Sequence, residues 1–153
     1  MALNLTEGID GITVVNLAEP TAGCLHDYTL QNSDMVALSK ADVLPINGAG
    51  METFLPVVTG AYPDLPLVDA SKGILLLESD DDGETNSHIW LDPQRAVGMA
   101  ANLAEGLIRY LPDYSQQISD NLAAYRDRLL AVDQTIHDEL MQVDDLPEVV
   151  ILL

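Results

Sequence analysis

Between residues 114 and 143, Ile118, Leu122, Tyr125, Leu129, Val132, Ile136, Leu140 and Val143 recur every three or four positions. This spacing puts one apolar stripe on one face of a helix, with charged and amide side chains on the rest of its surface. A single helix over 114–143 rises about 1.5 Å per residue and so forms a rod of about 45 Å. That is longer than one small lobe needs, and the expectation is a helix that bridges two lobes.

Upstream of the rod, extended and helical patterns alternate. Residues 12–17 read as a strand, 33–41 as a short helix, 43–46 as a strand and 51–59 as a second helix. Short extended segments follow at 67–69 and 74–77, between Pro and Gly breaks. The polar segment 78–87, with Asp80, Asp81, Asp82, Gly83 and Asn86, reads as an exposed loop. Asp92 before Pro93 is an N-cap followed by a proline at the first helical position, and Ala96, Met99, Ala100, Leu103 and Leu107 carry the helix onward until Pro112. Such alternation predicts an α/β fold, a parallel sheet with flanking helices, whose ligands gather at the carboxyl ends of the strands. The division expected is an α/β lobe over 1–112, the long linking helix over 113–144, and the first strand of a second lobe over 145–153. Residues 149–153 form a buried-type strand pattern with no turn signal after it, which predicts a strand that continues.

Six Lys and Arg stand against twenty-five Asp and Glu, a formal net charge of -19. That charge repels phosphate backbones and anionic lipid, so nucleic acid is excluded as a partner. The single cysteine, Cys24, permits no internal disulfide. No apolar run approaches the roughly 20 residues of a membrane-spanning helix, and no basic start with an apolar core follows Met1.

Two of the three histidines lie in loops of the α/β part. His26 stands a few residues beyond the first expected strand and His88 just before a helix start. Neutral imidazole is the commonest ligand for zinc and its neighbours, so two loop histidines over one sheet make a half-site; an isolated loop histidine is more often an ordinary hydrogen-bonded surface residue. His137 reads as a solvated residue of the long helix. Cys24 reads as a small buried hydrophobe before a soft ligand or nucleophile. Asp92 is explained by its capping position. Asn47-Gly48-Ala49-Gly50 joins strand to helix but lacks the Lys-Ser/Thr pair and the full glycine pattern of a phosphate loop, and reads as a tight turn.

Taken in order, Cys24-Leu25-His26-Asp27-Tyr28, Lys40-Ala41-Asp42, Asn47-Gly48-Ala49-Gly50-Met51-Glu52 and His88-Ile89-Trp90-Leu91-Asp92-Pro93 resemble the zinc and manganese solute-binding proteins of ABC importers. These are the TroA-like, cluster A-I metal-binding lipoproteins, some of them associated with cell adhesion, and the resemblance runs over essentially the whole chain. It implies two α/β lobes joined by one rigid helix, with the metal held between them on four side chains. His26 and His88 are then the two ligands of the first lobe and should lie close together. The third ligand, a His or Glu, would follow the first strand of the second lobe, and a late Asp or Glu would complete the set. The resemblance further implies that the family's first strand and most of its first helix precede Met1, and that the signal peptide with its lipidated cysteine precedes those. Cys24 is then not the lipid-bearing residue.

The function so implied is capture of a divalent transition metal, zinc or manganese, outside the cytoplasm, in the periplasm or lipid-anchored at the outer face of the membrane. Delivery is to the membrane permease of an ABC importer, by a protein that is a monomer when full length and not an enzyme. Two departures bear on the cargo: Ser87 stands where many members have Pro, and the loop before it is rich in aspartate instead of histidine, a feature of zinc-importing members. Zinc and manganese therefore both stay open. Two other functions compete: a metal-dependent hydrolase, for which no His-Glu-x-x-His pattern is present, and an adhesin or interaction module in which both histidines are incidental.

Overall fold

The computed structural model describes residues 1–18, 27–78 and 85–143. Its central unit is βαβ. Strand β1 (Leu44–Ile46) pairs in parallel with β2 (Leu67–Asp69), with Leu44 opposite Leu67, Pro45 opposite Val68 and Ile46 opposite Asp69. Helix α3 (Leu55–Ala61) crosses between them. Helix α2 (Asn32–Leu38) precedes β1, close to the expected 33–41, and the two strands fall where apolar β-branched residues placed them.

Beyond β2, a two-stranded antiparallel pair forms from β3 (Leu77–Glu78) and β4 (Thr85–Asn86). A single 3-10 turn over Ile89–Leu91 then leads into α4 (Pro93–Tyr110). Asp92 accepts hydrogen bonds from the backbone N–H groups of Gln94 (2.9 Å) and Arg95 (3.2 Å), which satisfies two of the four donors a helix start leaves unpaired. Ala96, Met99, Ala100, Leu103, Ala104 and Leu107 form the buried face of α4, which lies on β2. Contact is close enough that a Cβ on Gly106 would overlap the Val68 side chain.

Helix α5 (Ser115–Leu140) realises the long rod, starting and ending within three residues of the expected bounds. Ile118 at its start is fully buried, whereas Val132, Ile136 and Leu140 are 50%, 44% and 47% exposed. The apolar stripe is thus covered along the first part of the helix only. His137 is exposed in the last turn, as expected. Among the described residues no helix is long and apolar enough to cross a membrane.

The main core joins Leu5, Val68, Ile89, Met99, Leu103, Leu107 and Ile118. A second cluster, Leu38, Phe54 and Val58, packs α2 against α3, with Tyr28 edge-on to Phe54 at 5.8 Å.

Four expectations are corrected. Residues 12–16 belong to no strand: they line an apolar cavity of about 750 Å³ that β1 also lines, so no strand ladder joins them to β1. The helix expected at 51–59 begins only at Leu55. Gly48, Ala49 and Gly50 all have positive φ (82°, 52° and 78°), and the Glu52 carboxylate turns back to accept from the N–H groups of Asn47 (2.6 Å) and Gly48 (3.1 Å). A residue so engaged belongs to the turn and not to a helix. Of the segment 74–77 only Leu77 joins a strand pair: Gly73 at φ 73° lies in a turn closed by the Ile74 N–H on the Ser71 carbonyl (3.0 Å), and 74–76 belong to no regular element. The loop expected over 78–87 includes paired residues at both ends, Glu78 and Thr85–Asn86, while 79–84 lie outside the described residues.

A short helix, α1 (Ala2–Leu5), was not expected from the sequence. Asn121 of α5 holds it by donating to the carbonyls of Leu5 (3.1 Å) and Glu7 (2.9 Å), and Leu5 is fully buried. Four residues make no stable helix alone. Packing on α5 creates it. The expected strand over 145–153 lies outside the described residues.

Candidate metal centre

His88 follows β4 and opens the 3-10 turn that precedes α4. Its loop sits at the carboxyl end of β1, because the Asn47 side chain, one residue beyond that strand, donates to the Ser87 carbonyl at 3.4 Å. That is where ligands gather in a parallel α/β sheet. The tether is itself braced: the Glu52 carboxylate that grips the Asn47 and Gly48 amides is buried, as is Ser87. Gly48 has a second reason to be glycine, since a Cβ there would overlap the Asp69 carboxylate and the Ser71 hydroxyl. The turn's first two amides are already occupied by Glu52, which agrees with its reading as a tight turn and not a phosphate cradle.

The His88 ring is half-buried and lies at 5.3 Å from the Trp90 ring, tilted by 51°. Asn86 Oδ1 accepts from the His88 backbone N–H at 2.9 Å and lies 3.1 Å from His88 Nδ1. An Asx turn of this kind is a standard local contact of Asn with the backbone two residues on. Here it also reaches the imidazole. Asp92, four residues after His88, is taken up by α4: it caps the helix and pairs with Arg95 at 3.4 Å, so capping accounts for it in full.

His26 and Cys24 lie outside the described residues, and so does the separation of His26 from His88. Their flanks are described. The Tyr28 hydroxyl is 2.7 Å from the Leu17 carbonyl and 2.7 Å from Asp34 Oδ2, and Asp34 Oδ2 also accepts from the Gln31 backbone N–H at 2.7 Å. A contact between Tyr28 and Leu17 ties together the two sides of the segment that carries both residues. Among the described residues, no three His, Cys, Asp or Glu side chains come together in a way that could hold a metal ion.

Sequence reasoning singled out His88 and Asp92 but passed over Asn86, Asn47 and Glu52 as working parts. The signal for Asn86 was available: an Asn two residues before a histidine has the spacing of an Asx turn. The Asn47–Ser87 contact spans forty residues and leaves no local trace.

Comparison with known proteins adds a relationship to this geometry. The family described as Zinc-uptake complex component A periplasmic matches residues 4–151. The iron-binding protein YfeA of Yersinia pestis is 26% identical over 137 residues, covering 88% of this chain and 44% of its own length. The manganese-binding lipoprotein MntA of Halalkalibacterium halodurans is 30% identical over 123 residues, covering 80% of this chain and 40% of its own. Among solved structures, a zinc-bound deletion mutant of ZnuA superposes with a TM-score of 0.83 at 28% identity, over 93% of this chain and 56% of that one. The chain spans about half the length of the proteins it matches.

Proposed function

Because this chain belongs to the family of periplasmic zinc-uptake component A proteins, we propose that it supplies the first-lobe half of a divalent-metal capture site, with His26 and His88 as its two ligands. The cargo is zinc or manganese, and the receiver is the membrane permease of an ABC importer. Work takes place outside the cytoplasm, in the periplasm or on a lipid anchor, and the complete protein acts as a monomer. Residues 1–112 are the lobe, 113–144 the linking helix and 145–153 the first strand of a second lobe, which contributes the remaining ligands.

The observation that carries this reading is His88 itself: a half-buried imidazole, at the carboxyl end of β1, held by Asn86 on one nitrogen and braced through Asn47 and Ser87. A ring restrained in this way loses little further freedom on binding an ion. The exposed second half of the α5 stripe fits a helix that continues against another lobe. Neither competing function gains an observation. The relatives named above carry metal-binding names, which lends no support to adhesion, and the sequence carries no His-Glu-x-x-His pattern that would favour a hydrolase.

Calorimetry at neutral pH tests the proposal on this chain, on its His26→Ala and His88→Ala variants, and on a form extended through a second lobe. Two ligands do not close a site that zinc fills with three or four, so tight binding is expected only in the extended form. Each histidine replacement there should weaken binding about tenfold or more. Tight, His26-dependent binding by the short chain alone would refute a site shared between lobes.

A further inference from the structure

We infer that Asn86 is a positioning residue that sets the tautomer of His88, holding the proton on Nδ1 so that Nε2 carries the lone pair a metal takes. The inference rests on the metal-capture reading and adds a residue to it. A backbone N–H only donates, so the Asn86 atom that faces the His88 N–H at 2.9 Å is the amide oxygen and not the nitrogen. The same oxygen lies 3.1 Å from His88 Nδ1. An amide oxygen only accepts, and it has two lone pairs, one for each neighbour. Nδ1 therefore donates. In a neutral ring the other nitrogen must then be the acceptor.

This matters because a free histidine side chain in water favours the opposite arrangement, with the proton on Nε2. Without a fixed acceptor at Nδ1, a cation arriving at Nε2 would first have to wait for the proton to move. Metal-ligating histidines ordinarily give their second N–H to a carboxylate, a backbone carbonyl or water, and that partner orients the ring and raises its basicity. Asn86 fills this place with a neutral oxygen from two residues away. The Asx turn makes the arrangement rigid: the contact that orients the side chain oxygen is to the same residue whose ring it serves. Trp90 lies beside the ring at 5.3 Å, tilted by 51°, and this ring contact distinguishes neither nitrogen.

The test is the nitrogen spectrum of the imidazole in the metal-free full chain, labelled with nitrogen-15 and recorded near pH 8, above the usual histidine pKa of about 6.5. Long-range proton–nitrogen correlations separate the two tautomers, and His88→Ala identifies the signal. The native chain is expected to show His88 protonated at Nδ1. Asn86→Asp keeps an oxygen acceptor and should keep that pattern. Asn86→Leu removes it and should shift the ring to Nε2–H, while zinc affinity in the extended form falls about 10- to 100-fold. Asn86 is exposed, so neither change removes a core contact. A native His88 protonated at Nε2 overturns the inference without need of any variant, and so does an Nδ1–H pattern that survives in Asn86→Leu. Zinc binding indifferent to His88→Ala would instead refute the metal reading and leave the tautomer assignment standing, which separates the two failures.

Discussion

Replacing Gly106 by Ala sets two opposed effects against each other at the contact between α4 and β2. In an exposed helix interior the change would stabilise by about 1 kcal/mol, the propensity gap between the two residues. At this site the new Cβ would overlap one Val68 γ carbon outright, approach the other to 2.7 Å and the Val68 Cβ to 3.0 Å. Rotating the valine relieves one γ carbon only by bringing in another, and its Cβ cannot move without the strand. Val68 is buried in the main core, so the strand cannot yield toward solvent. Overpacking of this kind costs about 1 to 3 kcal/mol, which exceeds the propensity gain at all but its lower end. The expected net is a loss of about 1 kcal/mol, or about 2 to 4 °C in Tm for a chain of this size. The diagnostic is a double-mutant cycle. Val68→Ala alone removes two methyl-sized groups at about 0.8 kcal/mol each in transfer energy, plus the cost of the cavity. In the Gly106→Ala, Val68→Ala pair the new methyl enters that cavity, so the double variant should be more stable than the sum of the singles by about 1 kcal/mol or more. Urea unfolding with matched m-values measures all four forms. A stabilised Gly106→Ala, or strictly additive energies, would refute the close approach of α4 to β2.

Asp92→Ala should destabilise the chain by about 1 kcal/mol through loss of the α4 cap, with little added from the partly exposed Arg95 pair, as urea midpoints would show. Tyr28→Phe should weaken metal binding in the extended form more than Tyr62→Phe. Both remove a hydroxyl 2.7 Å from a backbone carbonyl, but only Tyr28 reaches Leu17 across the His26 segment; equal affinity losses at similar stability would refute a role for that contact.

Several features were legible in the chain because their causes are local. The long helix follows from apolar residues three or four apart, and a period of 3.6 is a property of the helix alone. The α4 start follows from Asp92 and Pro93 side by side. Strands β1 and β2 are marked by apolar runs between breaks, and β2 was placed residue for residue. Even the short-range part of the His88 environment was within reach, since Asn86 acts over two residues. The helix expected at 51–59 was misplaced because Glu52, a good helix former by composition, spends its carboxylate on two backbone amides instead.

By itself, then, the order of residues determined the α/β alternation, the rod of α5, the cap of α4 and the identity of His88 as a loop imidazole before a helix start. Tertiary structure alone decided the rest. It made a helix of Ala2–Leu5 by giving it Asn121 and a buried seat, and it left 12–16 outside any strand, along a cavity that β1 also lines. It also fastened the His88 loop to the end of β1 through Asn47. The physical reason is common to the first and the last. Backbone groups must find partners, and when the partner lies forty or a hundred residues away, only the folded arrangement determines which one it is.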